Sequence, residues 1–207
     1  FPLKVCTWDY IPNNWFPSNS AAVLDDMNKH GINLFPRHSH LPKGKVDANG
    51  TLTINWSDMD TELDRLKGRG QILFSVAHPP IVFESKLTEA KKHKIEIEFI
   101  IKWRDYLKDH GLDYKDYCFY PIDEPGYGYG SRIPTLLNAI NLLHSADPQI
   151  RIYTNPTFTL SWESFKQIES KIDIWSPGMR LVSGLLCDDP RIKRIINSGK
   201  ELWSYEC

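Results

Sequence analysis

Two neighbouring acids, Asp123 and Glu124, stand in the run Tyr120-Pro-Ile-Asp-Glu-Pro-Gly126, where an apolar strand-like segment ends and a proline stops it. In a regular strand adjacent side chains point to opposite faces. A twist or bulge at a strand terminus lets both reach one hollow. Two close carboxylates repel, which favours protonation of one and leaves the other an anion. Such a pair can donate a proton and hold negative charge side by side. The plain alternative is a surface acid pair that caps a loop.

Other polar and aromatic residues gather after strand-like runs. Tyr153 and Asn155 follow one such run and are suited to hydrogen-bonding a hydroxyl or an amide of a substrate. Trp8, Trp15, Tyr120, Tyr127, Tyr129, Tyr153, Trp175, Trp203 and Tyr205 stand where sugar rings could stack, and core packing claims about half of them. Trp175 and Trp203, at strand ends, are the expected pocket walls. Arg37-His-Ser-His40 and His78 offer Arg37, His38 and His78 as hydroxyl contacts, and Asp9 is either a contact or a turn residue. The HxH spacing also occurs in metal-dependent barrels. Those barrels want further histidines after strands five and six, where this chain has Tyr153-Thr-Asn155 and Trp175-Ser176, so neither a metal nor a cofactor is expected.

The elements that must position these residues alternate along the whole chain. Strands are expected over about Leu3–Trp8, Ile32–Phe35, Gln71–Ala77, Tyr117–Ile122, Ile150–Thr154, Ile172–Trp175 and Leu202–Tyr205. Helices are expected over about Ser20–His30, from Ser57 as N-cap, and over Thr88–His110, Ile133–Ser145, Trp162–Glu169 and Pro190–Asn197. Strict alternation argues for a parallel sheet covered by helices. An open doubly wound sheet wants a glycine-rich first turn, and Asp9-Tyr-Ile-Pro-Asn-Asn-Trp15 has no glycine. Functional-looking residues after nearly every strand favour an α/β fold of the TIM (β/α)8 type. With seven strands and six helices, that barrel is incomplete or closed by other means.

The 207 residues form one expected domain, 41% hydrophobic and with a formal net charge of −1, balanced enough to argue against nucleic acid or an anionic membrane as partner. No apolar run is long enough for a membrane span. Cys6, Cys118, Cys187 and Cys207 form no CxxC pair, so a zinc knuckle is not expected. Both ends lie at strand-like segments and read as cut points in a longer protein with further domains.

The runs Ile122-Asp-Glu-Pro125, Ile150-Arg-Ile-Tyr-Thr154, Asp173-Ile-Trp-Ser-Pro177 and Glu201-Leu-Trp-Ser-Tyr205 resemble the catalytic barrel of glycoside hydrolase family 123 over Tyr114 to Cys207. The resemblance implies a retaining, substrate-assisted β-N-acetylgalactosaminidase acting on a carbohydrate substrate, and it favours a secreted or periplasmic location. It makes Glu124 the general acid/base and Asp123 the group that orients the 2-acetamido substituent. Likeness to the broader class of retaining barrel glycosidases implies an alternative. Glu206, at the end of strand seven, would be a nucleophile about 5–5.5 Å from Glu124. Asp123 favours the first reading, because the double-displacement class typically carries Asn before its acid/base. A non-catalytic carbohydrate-binding barrel is the third possibility.

Overall fold

The computed structural model describes residues 4–5, 20–38, 40–84, 86–126, 132–157, 160–178 and 189–203. The expected first strand lies almost wholly outside them, as do Trp8, Asp9, Trp15, Tyr127, Tyr129, Tyr205, Glu206, Cys6, Cys187 and Cys207. The chain divides into two compact units, Phe1–Cys118 and Phe119–Cys207.

The first unit contains α1 (Ser20–Lys29), β1 (Leu34–Arg37), β2 (Lys43–Val46), β3 (Leu52–Asn55), α2 (Ser57–Leu66), β4 (Gln71–Ser75), β5 (Ile81–Phe83) and α3 (Glu89–Asp109). It also holds the start of β6 (Tyr117–Tyr120). β1 and β4 pair in parallel, with Phe35 opposite Ile72 and Arg37 opposite Phe74. Phe74 lies 5.2 Å from the Trp103 ring of α3, so this row of side chains faces the helices. Gly70 permits the two strands to start close together. A Cβ there would stand 2.2 Å from the Asn33 carbonyl oxygen. α3 begins where Thr88 Oγ1 accepts the Lys91 N–H at 3.4 Å and ends before Gly111, whose φ is 76°.

Two expectations are corrected in this unit. Strict alternation fails after β1, because β2 and β3 form an antiparallel hairpin and β5 adds to β2 in parallel, giving a small sheet in the order β3-β2-β5. The turn Asp47-Ala-Asn-Gly50 makes the hairpin. Asp47 Oδ1 accepts the N–H groups of Asn49 and Thr51 at 2.9 and 2.8 Å, and Gly50 takes a φ of 86°. The N-cap of α2 is Trp56 rather than Ser57. Asn55 reaches over it and takes the Ser57 N–H at 3.0 Å.

The second unit runs from Phe119 in β6 through α4 (Ile133–Ala146), β7 (Tyr153–Thr154), α5 (Trp162–Ile168), β8 (Ile174–Trp175), α6 (Pro190–Asn197) and β9 (Glu201–Leu202). α4 buries Leu136, Ala139, Ile140 and Leu143 at helical spacing. β7, β8 and β9 are parallel in that order, and Phe119 bridges Ile152 in the same sense. Their register puts Tyr153 beside Ile174 and Glu201, and Thr154 beside Trp175 and Leu202. Because side chains alternate between faces, these are two opposite rows. Trp175 lies 5.2 Å from Phe165 of α5, so its row faces the helices. The Tyr153 row faces the other way, where the Tyr120 and Tyr153 rings meet edge-on at 5.0 Å. Nine strands in three small sheets are present among the described residues, an arrangement compatible with an incomplete barrel.

Candidate functional site

The site lies in the second unit, on the face of the β-strands turned away from the helices. β6 ends at Tyr120, and Asp123 and Glu124 occupy the turn that follows. Glu124 has a φ of 44°, in the left-handed region that an L-residue other than glycine adopts at a cost. This backbone reversal, rather than a bulge within the strand, follows the first acid with the second.

One buried amide organises the turn. Asn155, only 2% exposed, stands just beyond β7 on the Tyr153 face. Its Oδ1 accepts the Glu124 backbone N–H at 3.0 Å, and its Nδ2 donates to Asp123 Oδ1 at 2.9 Å. The backbone N–H can only donate, which fixes the orientation of the amide. Tyr120 Oη also meets Asp123 Oδ1 and lies 2.8 Å from Asn155 Oδ1. Burial, then the hydrogen bond and charge of Asp123, push the Tyr120 phenol far above the usual tyrosine range, so it stays a donor at every working pH. Arg132 Nη2 donates to the Asp123 carbonyl and ties the turn to the start of α4. Asp123 is exposed and Glu124 half-buried, so both acids can meet a solute. Chemically, the turn offers an anchored carboxylate with a second carboxyl on the next residue.

The expected binding residues divide by strand parity. Tyr153, Asn155 and Trp203 share the face of the acids, with the Tyr153 and Trp203 rings 5.6 Å apart. Trp175 is 1% exposed on the opposite row, beneath Phe165. Its placement corrects the expectation of a pocket wall, because Trp175 and Tyr153 sit in registers that cannot share a face. Ser176, buried and one residue beyond Trp175, takes the favourable side instead. Sequence reasoning passed over Ser176, because the apolar neighbours Ile174 and Trp175 do not mark which face is which.

Arg37, in the first unit, is not available to a solute either. Its Nε lies 2.9 Å from Glu62 Oε2, and both residues are buried. Burial lowers the Arg37 pKa from its ordinary value, and the charge of Glu62 opposes that shift. The parity is again decisive, since Arg37 shares its row with Phe74 and so faces the helices. His38 and His78 are exposed in the same unit. No cluster of three or more His, Cys, Asp or Glu able to hold a metal occurs among the described residues.

No family model matches this sequence, and no curated protein matches it. Solved structures do. A family 123 glycoside hydrolase from Clostridium perfringens, studied for glycolipid glycan hydrolysis, matches 98% of this chain with a TM-score of 0.61 at 15% identity. The chain has a fold similar to that of this glycoside hydrolase. An intracellular xylanase from Thermoanaerobacterium saccharolyticum matches 98% of it at TM-score 0.57 and 12% identity, covering 71% of that enzyme. A β-mannanase from Thermomonospora fusca matches 92% at TM-score 0.52 and 16% identity, covering 66% of that enzyme. The chain spans 40% of the length of the family 123 structure.

Proposed function

We propose that this chain is part of a retaining glycoside hydrolase that removes terminal β-linked N-acetylgalactosamine, with the substrate's own acetamido group as nucleophile. The observation that carries the reading is the anchoring of Asp123. Among the described residues, both hydrogen bonds to its carboxylate, from Tyr120 and Asn155, land on Oδ1. We assign Oδ2 to the acetamido N–H. A carboxylate held this way by neutral donors suits charge stabilisation rather than attack at carbon.

In the first step the acetamido carbonyl oxygen attacks the anomeric carbon and the glycosidic C–O bond breaks. Glu124 protonates the departing oxygen. Asp123 accepts the amide N–H and offsets the positive charge on the oxazolinium. In the second step Glu124 takes a proton from water, whose oxygen attacks the anomeric carbon. The ring C–O bond of the oxazolinium breaks, the acetamide is restored, and the β configuration is retained. Trp203, half-buried, would wall the sugar site, with the buried Tyr153 ring packed against it.

Hydrolysis of an aryl β-N-acetylgalactosaminide by the chain within its full-length parent tests the proposal. Asp123→Asn should cost about 10²–10³-fold in kcat, and a thiazoline analogue of the oxazolinium should inhibit. Equal turnover of an aryl β-xyloside, abolished by Glu206→Gln, would replace this reading with double displacement. That alternative is in keeping with the xylanase and mannanase folds.

A further inference from the structure

We infer that Asn155 is a positioning residue that acts on both acids through one amide, rather than a contact for the sugar. The inference rests on the proposed function above. Sequence alone makes Asn155 a natural partner for a substrate amide. The structure instead directs both ends of its side chain inward. Nδ2 holds the Asp123 carboxylate at 2.9 Å, and Oδ1 holds the Glu124 backbone N–H at 3.0 Å, where the chain has turned into its left-handed conformation. At 2% exposure the amide itself is shut off from a solute. The groups that face it are Tyr120 from β6, Asp123 and Glu124 from the turn, and Tyr153 two residues before it in β7.

The consequence is a coupling. Removing the donor at Asn155 should matter only while Asp123 is a carboxylate. Asn155→Asp keeps an acceptor for the Glu124 N–H but sets a second carboxyl against Asp123. When both are ionised they repel, and when the introduced carboxyl is protonated it can donate as the amide did. The loss should therefore shrink as the pH is lowered.

A double-mutant cycle on an aryl β-N-acetylgalactosaminide tests this, with kcat measured from pH 4.5 to 8 and folding checked by circular dichroism. Asn155→Asp should cost about 10²-fold at pH 7 in the wild-type background and less than about 3-fold in the Asp123→Asn background. The same factor in both backgrounds, or a loss that does not change with pH, overturns the inference. If Asn155→Asp does not fold, Asn155→Ser takes its place, because it removes the amide donor to the same carboxylate without adding a charge. It should slow the wild type about 10-fold and the Asp123→Asn protein less than about 3-fold, and equal slowing of both is again refuting. If Asp123→Asn by itself leaves kcat unchanged, the proposed mechanism fails instead, and the two failures are told apart.

Discussion

Glu62 provides the sharpest test of the physical account of the first unit. Its carboxylate stands between two guanidinium groups, with Arg37 Nε at 2.9 Å and Arg65 Nη1 at 3.0 Å, and the three side chains are only 4%, 9% and 12% exposed, Glu62 first. Glu62→Gln keeps the shape and removes the only charge opposing two buried cations in this triad. Breaking a buried pair by removing one partner costs about 3–5 kcal/mol, because the other charge stays buried without compensation. At about 2–4 °C per kcal/mol for a chain of this size, the melting temperature should fall by roughly 10 °C. Arg37→Met should cost far less, about 1 kcal/mol, because Glu62 keeps Arg65 and an apolar chain replaces the stem of Arg37. The assay is thermal and urea unfolding at pH 7, followed by circular dichroism, with KM measured on the same samples. Equal losses for the two variants would refute the reasoning. So would an Arg37→Met protein with an unchanged melting temperature and a raised KM, since Arg37 would then be a substrate contact.

Three further outcomes follow from the same structure. Gly70→Ala should destabilise by about 3 kcal/mol in chemical denaturation, because its Cβ would meet the Asn33 carbonyl oxygen, a backbone atom that cannot swing aside. Trp175→Ala should cost about 3–5 kcal/mol in stability, whereas Trp203→Ala should raise KM about 10-fold with little change in melting temperature; the reverse pattern would invert the assignment of faces. Asp189 caps α6 by accepting the Arg191 N–H at 2.8 Å, and the hydrogen bond from the Arg191 side chain holds its carboxyl below the usual range. Its contribution is therefore present above the ordinary carboxylate pKa of about 4 and lost as the pH falls through the lower folded value. Asp189→Asn should flatten the fall in melting temperature in that acid range, and Asp189→Ala should cost about 1 kcal/mol at neutral pH.

The helices were legible because their signals are local. Thr88 and Gly111 bracket α3, and Pro190 opens α6 where the periodicity places it. The acid pair at the end of β6 was legible for the same reason. The hairpin was missed, although Lys43-Gly-Lys-Val and Leu52-Thr-Ile-Asn flank an Asn-Gly turn. Those runs are short and half polar, and they carry little apolar pattern. What the sequence could not show was which face each strand residue takes. Parity depends on register, and register is fixed between strands distant in the chain. Trp175 and Arg37 fall on the helix-facing rows for that reason, each one residue away from a position on the opposite face. The role of Asn155 was hidden similarly, since its partners lie more than thirty residues away.

The conformation of Glu124 sets stability against chemistry at a single position. Glycine accepts a φ of 44° at no steric cost, whereas glutamate is held there by its surroundings. Exchanging that acid for glycine should yield a sturdier fold and, on the proposed function, a protein that still binds a sugar but has no proton to give. On the proposed function the natural residue would be kept for what it does and in spite of how it folds, and a search for hardier variants of this protein should be steered away from Glu124.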